Sequence, residues 1–395
     1  MHCTKKITDD IFFIGANDRR LELFENVFPI PKGVSYNSYV VLDEKITVMD
    51  TADSAVSKTF FENLEYILQG KIPDYLVINH MEPDHCACVK DFVAKYPNVS
   101  LVGNVKTFTM LKNFFGDIAC EKITVKEGDT LNTGKHTFNF VMAPMVHWPE
   151  AMVTFDSYSG VLFSADAFGT FGALNGNIFA DEVDFERDWL DDARRYYTNI
   201  VGKYGAQVQA LLKKAAGLDI KMICPLHGPV WRENIAWFVE KYEKWSSYTP
   251  EENSVLIVCG SIYGNTENAA EAIAAKLWDK GVKATLFNAS NTDVSYLVSE
   301  SFKYSFIIIA AATYNGGIYT PVENYINEIK LHNLQNRKFA LVENGSWAPM
   351  AAKTAEKLME GMKNIDILPE RVSIKSSLCD EAVIDDFCTA VANQI

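Results

Sequence analysis

One short segment limits the possible folds of this chain more than any other. The apolar run Tyr75–Ile78 has the length and branched residues of a buried strand. It leads directly into four side chains that can bind a metal, His80, Glu82, Asp84 and His85. Four such side chains within six residues cannot all share one face of a helix or strand. The segment therefore predicts a loop at the carboxyl end of a strand, folded around positive charge.

Three more candidate ligands follow predicted strands in the same way. They are His147 after Phe138–Met142, Asp166 after Val161–Phe163 and His227 after Met222–Cys224. The full set is four imidazoles and three carboxylates without a thiolate. One tetrahedral ion needs fewer ligands, whereas two ions that share a carboxylate would use all of them. Nitrogen and oxygen donors of this kind suit iron, manganese or zinc.

The other histidines and the nearby cysteines stand apart from this pattern. His2, His136 and His332 have no such neighbours in the sequence, and we expect them to be ordinary surface or loop residues. Cys86 and Cys88 follow the loop, where we expect them to pack. Trp148, next to His147, either lines the metal pocket or packs.

The two parts of the chain differ in their hydrophobic pattern. Up to about residue 245, short strands and a few helices predominate, including a long helical stretch over roughly Glu186–Tyr204. The polar stretch 246–253 contains a proline and is interpreted as a linker. The sequence therefore predicts two domains, residues 1–245 and 254–395.

Strands and helices alternate regularly after the predicted linker. The predicted strands are Val255–Cys259, Ala284–Asn288, Phe306–Ala311, Phe339–Val342 and Val372–Ile374. Helices are predicted near Glu267–Lys280, Pro321–Glu328, Met350–Met362 and Ala382–Ala392. This alternation is typical of an α/β domain with a doubly wound parallel sheet.

The first strand of the second domain ends in a loop suited to a phosphate. Its residues are Ser261, Ile262, Tyr263, Gly264, Asn265 and Thr266. Backbone N–H groups at this turn, two hydroxyls and the start of the next helix can all bind an anion. The chain has no G-x-x-x-x-G-K-[ST] and no G-x-G-x-x-G motif, which disfavours a nucleoside triphosphate or a dinucleotide. A single phosphate on a smaller ligand fits better.

Two further loops lie where the same topology would place a flavin ring. Their predicted contact residues are Thr313, Tyr314, Asn315, Gly316 and Gly317, then Asn344, Gly345, Ser346 and Trp347. The glycines permit close approach of the backbone, and Tyr314 and Trp347 offer flat faces for stacking. Together with the phosphate loop, they favour flavin binding.

Composition excludes several classes of protein. A net charge of −14 argues against non-specific nucleic-acid binding through a basic surface. Apolar runs of about seven residues are far too short to span a bilayer. The cysteines include no C-x-x-C pair, so a disulfide framework or a thiolate metal site is not expected. A reducing cytoplasm is the predicted location.

The motifs together resemble a known family. The loop is similar to the H-x-H-x-D-H loop of metallo-β-lactamase hydrolases, but Glu82 replaces the second histidine. With His147, Asp166 and His227, this pattern is similar to that of the flavodiiron protein family. The resemblance implies an N-terminal αββα metallo-β-lactamase-like domain and a C-terminal flavodoxin-like domain that binds FMN. It also implies two iron ions, one on His80, Glu82, His147 and Asp166 and one on Asp84, His85 and His227, with Asp166 bridging.

The resemblance also implies a function. FMN would pass electrons from an external carrier to the di-iron site, which reduces O2 to water, NO to N2O, or both, with O2 slightly favoured. No rubredoxin-like or NAD(P)H-reductase part is visible in the sequence, so rubredoxin or a similar small carrier is the expected donor. A head-to-tail homodimer, alone or paired into a dimer of dimers, would bring the flavin of one chain to the iron of the other.

Two alternative functions remain open from the sequence. The first is a zinc hydrolase of the metallo-β-lactamase type fused to a flavodoxin, and Glu82 in place of histidine speaks against it. The second is a flavodoxin-like electron carrier with an inactive N-terminal domain. Retention of all seven candidate ligands speaks against the second.

Overall fold

The chain folds into two compact units. The computed structural model describes residues 1–377 and 380–395. The first unit comprises Met1–Tyr197 and Ala206–Glu243, and the second comprises Thr198–Gly205 and Lys244–Ile395. The domain limits 1–245 and 254–395 stay a prediction, and Cys379 lies outside the described residues. Across the part of the chain that the structure describes, no helix has the length and apolar character needed to cross a membrane.

The first unit is built on two sheets. Its strands are β1 (Lys5–Lys6), β2 (Ile11–Phe13), β3 (Ala16–Asp18), β4 (Leu23–Phe24), β5 (Phe28–Pro29), β6 (Val34–Tyr36), β7 (Tyr39–Val41), β8 (Thr47–Met49), β9 (Tyr75–Val77), β10 (Ser100–Gly103), β11 (Glu121–Thr124), β12 (Thr130–Asn132), β13 (Thr137–Met142), β14 (Met152–Asp156), β15 (Val161–Phe163) and β16 (Met222–Cys224). One sheet has the order β1-β2-β7-β8-β9-β10-β11 and the other β12-β13-β14-β15-β16. Tyr39 of β7 packs on Phe163 of β15 with ring centroids 5.5 Å apart, so apolar faces of the two sheets meet. This is the predicted metallo-β-lactamase-like architecture.

The helices associated with this region are mostly short. They are α1 (Ser57–Leu68), α2 (Pro83–Cys86), α3 (Val89–Lys95), α4 (Val105–Phe115), α5 (Phe185–Asp188), α6 (Leu190–Tyr196), α7 (Gly205–Ala215) and α8 (Ile235–Ser246). The stretch predicted to be helical over 186–204 is helical in the structure, but it consists of several short helices of different types. After α6 the backbone forms a π-helical turn over Tyr197–Val201 and then a 3-10 turn. Aromatic and β-branched residues, which favour an α-helix only weakly, fill most of this π-helical turn.

The second unit is a five-stranded parallel sheet with helices on both faces. Its elements are β17 (Glu252–Gly260), α9 (Asn265–Asp279), β18 (Ala284–Asn288), α10 (Val294–Lys303), β19 (Tyr304–Tyr314), β20 (Gly317–Ile318), α11 (Thr320–Leu331), β21 (Arg337–Asn344), α12 (Ala351–Met359), β22 (Ile365–Ile374) and α13 (Glu381–Ala392). The sheet order is β18-β17-β19-β21-β22, and all four neighbouring pairs are parallel. Helices α9 and α13 contact each other, as do α10, α11 and α12. The predicted doubly wound sheet is confirmed.

His136 lies in the loop between β12 and β13, as predicted, but it is not at the surface. Its ring is fully buried, with Nδ1 2.7 Å from Asp156 Oδ2 and Nε2 3.1 Å from Asp10 Oδ2. Burial alone would lower the pKa of His136, but Asp156 and Asp10 raise it above its ordinary value. The pKa of Asp156 is lowered, against the effect of burial, chiefly by the hydrogen bond from His136.

We expect His136→Gln to destabilise the protein by about 2 kcal/mol near pH 6, because it removes a buried charge-assisted hydrogen bond. A raised folded pKa stabilises fully below the ordinary histidine value of 6.5, and this contribution disappears as pH rises through the folded pKa. The defect should therefore be smaller near pH 9 than near pH 6 in urea unfolding of the intact protein. His2→Gln, at an exposed position, is the control and should change little at either pH. A His136 defect equal at the two pH values would contradict this account.

Candidate metal centre and flavin site

The loop after β9 is held at both ends by the turn after β8. Asp50 Oδ1 accepts hydrogen bonds from the backbone N–H groups of Asn79 at 2.7 Å and His80 at 3.1 Å. The Thr51 hydroxyl donates to the carbonyl of His85 at 2.6 Å. Between these anchors, α2 is a single turn. Fixed in this way, the loop directs the four candidate ligands of the sequence segment into one buried space.

Four side chains converge in what we call the first group, His80, Glu82, His147 and Asp166. Glu82 Oε2 lies 3.0 Å from His147 Nε2 and 3.3 Å from His80 Nε2. Asp166 Oδ2 lies 3.1 Å and 3.2 Å from the same two nitrogens. All four residues are buried, so these donor atoms face one another rather than bulk water.

Three more side chains form the second group, Asp84, His85 and His227. The Nε2 atoms of His85 and His227 are 3.0 Å apart, and Asp84 Oδ2 lies 3.3 Å from each. Asp166 turns its other oxygen, Oδ1, to this group, 3.2 Å from His85 Nε2. The structure therefore brings together all seven residues that the sequence singled out, with Asp166 between the two groups.

The arrangement fits two metal ions. Four tetrahedral donors on bonds of about 2.1 Å lie about 3.4 Å from one another, close to the separations in both groups. Among the described residues, neither oxygen of Asp84 has a hydrogen-bond partner, nor has Asp166 Oδ1. Buried acceptors are seldom left unsatisfied without a reason. A cation in each group would satisfy all three oxygens.

The pKa shifts of residues in the two groups also favour bound cations. Burial would lower the pKa of His147, yet hydrogen bonds with Asp166 and Glu82 raise it to about 9. Burial would raise the pKa of Asp166, yet His80 and His85 hold it well below its usual range. The site thus favours positive charge at its centre. A metal ion can supply that charge in exchange for protons on the imidazoles.

Outer hydrogen bonds orient the imidazoles, and their partners were missed by the sequence reasoning. Glu150 Oε1 lies 2.9 Å from His80 Nδ1, and His227 Nδ1 lies 2.7 Å from the carbonyl oxygen of Ser35. These bonds place the N–H on Nδ1 and leave the Nε2 lone pair for the cluster. Ser35 lies 192 residues from His227, so no sequence pattern signals that contact. Asp50 directly follows β8 at the end of a strand, and that position was a usable signal.

Aromatic rings surround the two groups. Trp148 stands edge-on to His80 and His147, with centroid distances of 5.5 and 6.4 Å. Phe24 and Tyr36 contact the ring of His227 at 5.5 and 5.8 Å. The rings limit the access of water to the donors and lower the local dielectric constant.

A separate cavity of about 500 Å³ lies in the second unit, at the carboxyl ends of the parallel strands. Its lining residues are Ser261, Ile262, Tyr263, Asn265, Thr266, Ala312, Thr313, Tyr314, Asn315, Gly316, Asn344, Gly345, Ser346, Trp347, Ala348, Met350 and Ser376. These include every predicted flavin-contact residue except Gly264 and Gly317. Ala312, Ala348, Met350 and Ser376 were not among the predicted contacts, although Ser376 follows β22 at the same edge of the sheet.

The cavity offers a phosphate-binding turn and two aromatic faces. Gly264 adopts φ +88° immediately before α9, and its N–H donates to the Ser261 hydroxyl at 3.0 Å. Asn265 and Thr266 follow at the start of this 15-residue helix, where free N–H groups favour an anion. Trp347 is 93% exposed and Tyr314 45% exposed. Large exposed rings beside a cavity suit the stacking of a planar ligand.

We expect Gly345→Ala to weaken FMN binding by about 10- to 100-fold, since overpacking typically costs about 1–3 kcal/mol. A Cβ at Gly345 would lie 2.8 Å from the Cα of Pro349, which is backbone and cannot swing away. The matched control is Gly317→Ala, whose Cβ would meet only the Tyr314 carbonyl at 3.7 Å. Fluorescence titration of the apoprotein with FMN measures both variants. Equal affinities for the two variants would contradict the predicted role of the close approach at Gly345.

Two family profiles match the chain. The family described as ODP family beta lactamase matches residues 34–228, and the flavodoxin family matches residues 257–376. An uncharacterised protein of Methanocaldococcus jannaschii is 30% identical over 363 residues, which cover 91% of this chain and 89% of that protein. An anaerobic nitric oxide reductase flavorubredoxin of Vibrio vulnificus is 30% identical over 350 residues, 87% of this chain and 70% of the relative.

Solved structures resemble the whole chain. Rubredoxin oxygen:oxidoreductase from the anaerobe Desulfovibrio gigas is 27% identical, with a TM-score of 0.92 over 99% of this chain and 98% of that one. A variant of the flavo di-iron protein from Thermotoga maritima is 26% identical, with a TM-score of 0.91 and the same coverage of both chains.

Proposed function

Because this chain belongs to the flavodiiron protein family, we propose that it is an oxidoreductase that reduces O2 to water, NO to N2O, or both. In this proposal FMN fills the cavity of the second unit and two iron ions fill the two groups of the first. An iron pair supplies electrons and open positions for a small oxidant. The relatives named above act on NO or on oxygen by their names, which supports both substrates.

The observation that carries the proposal is the composition of the cluster. Four imidazoles and three carboxylates converge within two groups, and Asp166 directs one oxygen to each group. Nitrogen and oxygen donors without thiolate suit iron, and shared carboxylate ligation is a way to hold two ions close together. We propose His80, Glu82, His147 and Asp166 as ligands of one ion, and Asp84, His85, His227 and Asp166 as ligands of the other.

The chain's own residues prepare the site for such an oxidant. Glu150 and the Ser35 carbonyl hold the imidazoles of His80 and His227 in the ligating tautomer. Trp148 and Phe24 place apolar ring edges beside the ligands, so that water is displaced from the surroundings. Glu82 and Asp84 serve as ligands in this proposal and not as acid catalysts.

The partners follow from the family. We propose that rubredoxin or a similar small carrier reduces the FMN, as the name of the Desulfovibrio gigas relative suggests for that protein. We further propose a head-to-tail homodimer in the reducing cytoplasm, with the flavin of one chain serving the iron of the other. The resemblance to the family is the support for this assembly.

Steady-state turnover with O2 and NO side by side, using one reduced carrier, tests the function. We expect about two iron ions and one FMN per chain and consumption of at least one gas. Protein loaded with FMN and iron but inert to both gases would overturn the proposal. Two zinc ions with thioester or lactam hydrolysis would favour a hydrolase instead.

A further inference from the structure

The two groups provide the same types of ligand, but the imidazole nitrogens that face away from the cluster have different hydrogen-bond partners. Each group has two imidazoles and one carboxylate of its own, and Asp166 is shared between them. Direct ligands therefore give the two ions nearly equal charge. A difference between the ions must come from the residues behind the ligands, which tune a metal through the ring nitrogens that do not bind it.

Behind the first group stands a buried carboxylate. The side chain of Glu150 has no exposed surface, and its Oε1 lies 2.9 Å from His80 Nδ1 and accepts the N–H of Met81 at 2.8 Å. Its other oxygen, Oε2, has no hydrogen-bond partner among the described residues. Since few donors disperse its negative charge, that charge acts strongly on the imidazole of His80.

Behind the second group, no carboxylate accepts a ring N–H in the described part of the chain, and the buried carboxylate of Asp50 acts on His85 only through space. His227 Nδ1 donates to the carbonyl of Ser35, a dipole without net charge. His85 Nδ1 is buried and has no hydrogen-bond partner within residues 1–377 and 380–395. The imidazoles of the second group therefore donate less electron density than that of His80.

We propose that Glu150 makes the iron of the first group harder to reduce, so that the first electron localises on the iron of the second group. An imidazole that donates its N–H to a carboxylate is the more basic ligand, and it stabilises the ferric ion. In this step one electron from the reduced flavin of the proposed function, or from dithionite in the test below, would convert Fe(III) to Fe(II) at the second group. This inference rests on the proposed function, because it requires iron in both groups.

Stepwise reduction of the iron-loaded, full-length protein tests the inference. Dithionite is added in one-electron amounts, and EPR and Mössbauer spectroscopy measure the half-reduced fraction with one ferric and one ferrous ion. We expect wild type to show two separate one-electron steps. In Glu150→Gln, which keeps Oε1 as an acceptor but removes the charge, we expect the comproportionation constant to fall at least about tenfold, or ~59 mV for one electron.

A matched control is Asp156→Asn. This residue is also a fully buried carboxylate bonded to a histidine in the same unit, but its partner is His136 and not a member of the cluster. We expect it to leave the two reduction steps unchanged. Glu150→Asp, which keeps the charge, should retain most of the separation. The inference would be overturned if Asp156→Asn brought the two reduction steps as close together as Glu150→Gln does. It would also be overturned if Glu150→Gln left their separation unchanged.

The outcomes separate this inference from the proposed function. Separated steps that depend on Glu150, in protein inert to O2 and NO, would support the inference and overturn the function. Reduction of O2 or NO by protein whose two ions are reduced in a single step would support the function and overturn the inference. If Glu150→Gln fails to bind two ions, the wild-type protein still tests the inference. A half-reduced wild-type sample without one localised ferric ion and one localised ferrous ion would refute it.

Discussion

His147→Ala is expected to abolish consumption of O2 and NO while the rate of flavin reduction stays at the wild-type value. Its Nε2 lies 3.0 Å from Glu82 and 3.1 Å from Asp166, so the variant removes one donor of the first group and leaves both carboxylates facing an incomplete site. Even outer-sphere changes cost about 10- to 100-fold at metal sites. We therefore expect gas turnover to fall by at least about 100-fold.

Two measurements separate the effects of this change. Iron content per chain should fall, whereas rapid mixing with a reduced carrier should show normal bleaching of the flavin. His2→Ala is the control, since His2 is exposed and belongs to neither group. Equal loss of flavin reduction and gas turnover would contradict the division of labour between the two units. Full gas turnover without His147 would rule it out as a ligand.

The positions of the seven cluster residues could be predicted because each candidate follows a strand. The candidates follow β9 in one sheet and β13, β15 and β16 in the other, and the metal-binding residue types restrict the choice among the residues there. His80, Glu82, Asp84 and His85 are also too close in sequence to share any regular face. Local pattern and residue type together were therefore sufficient to predict that these side chains meet.

The outer hydrogen bonds could not be predicted, because they join distant parts of the chain. Glu150 is 70 residues from His80, and its role depends on how β14 lies beside β9. The burial of His136 in its loop was not predicted for the same reason, since Asp10 and Asp156 become its partners only after folding. A lone histidine in a sequence gives no sign of carboxylates that tertiary structure brings to it.

Helix α10 was also missed. Its serines, valines and aromatic residues are moderate helix formers, although its apolar residues share one face as clearly as in the helices that were predicted. The Asp293 side chain accepts the N–H of Ser295 and caps its start. Its other end depends on an arginine that follows more than 30 residues later, which no local pattern reveals.

That arginine, Arg337, also orders the segment interpreted as a linker. Its guanidinium is 2% exposed and donates hydrogen bonds to the carbonyl oxygens of Tyr248, Ser301, Phe302, Gln335 and Asn336. Ser301 and Phe302 belong to the last turn of α10, where a cation favours the helix dipole. Tyr248 is itself buried, and its hydroxyl donates to the Gly202 carbonyl at 2.9 Å. The segment is thus a packed part of the second unit and not a loose tether.

Arg337→Met is therefore expected to destabilise the second unit by about 3–5 kcal/mol, because it leaves buried carbonyls without donors. Arg371→Met is the matched control on the neighbouring strand, since Arg371 forms an exposed ion pair with Glu356 and its loss should cost less than ~1 kcal/mol. Arg337→Lys should fall between them, because an ammonium has three donors and no planar fork. Denaturant unfolding followed by FMN release ranks the three variants. If Arg337→Met lowered the free energy of unfolding no more than Arg371→Met, the buried carbonyls must find other hydrogen-bond donors. The segment 246–253 would then be anchored by the Tyr248 side chain alone.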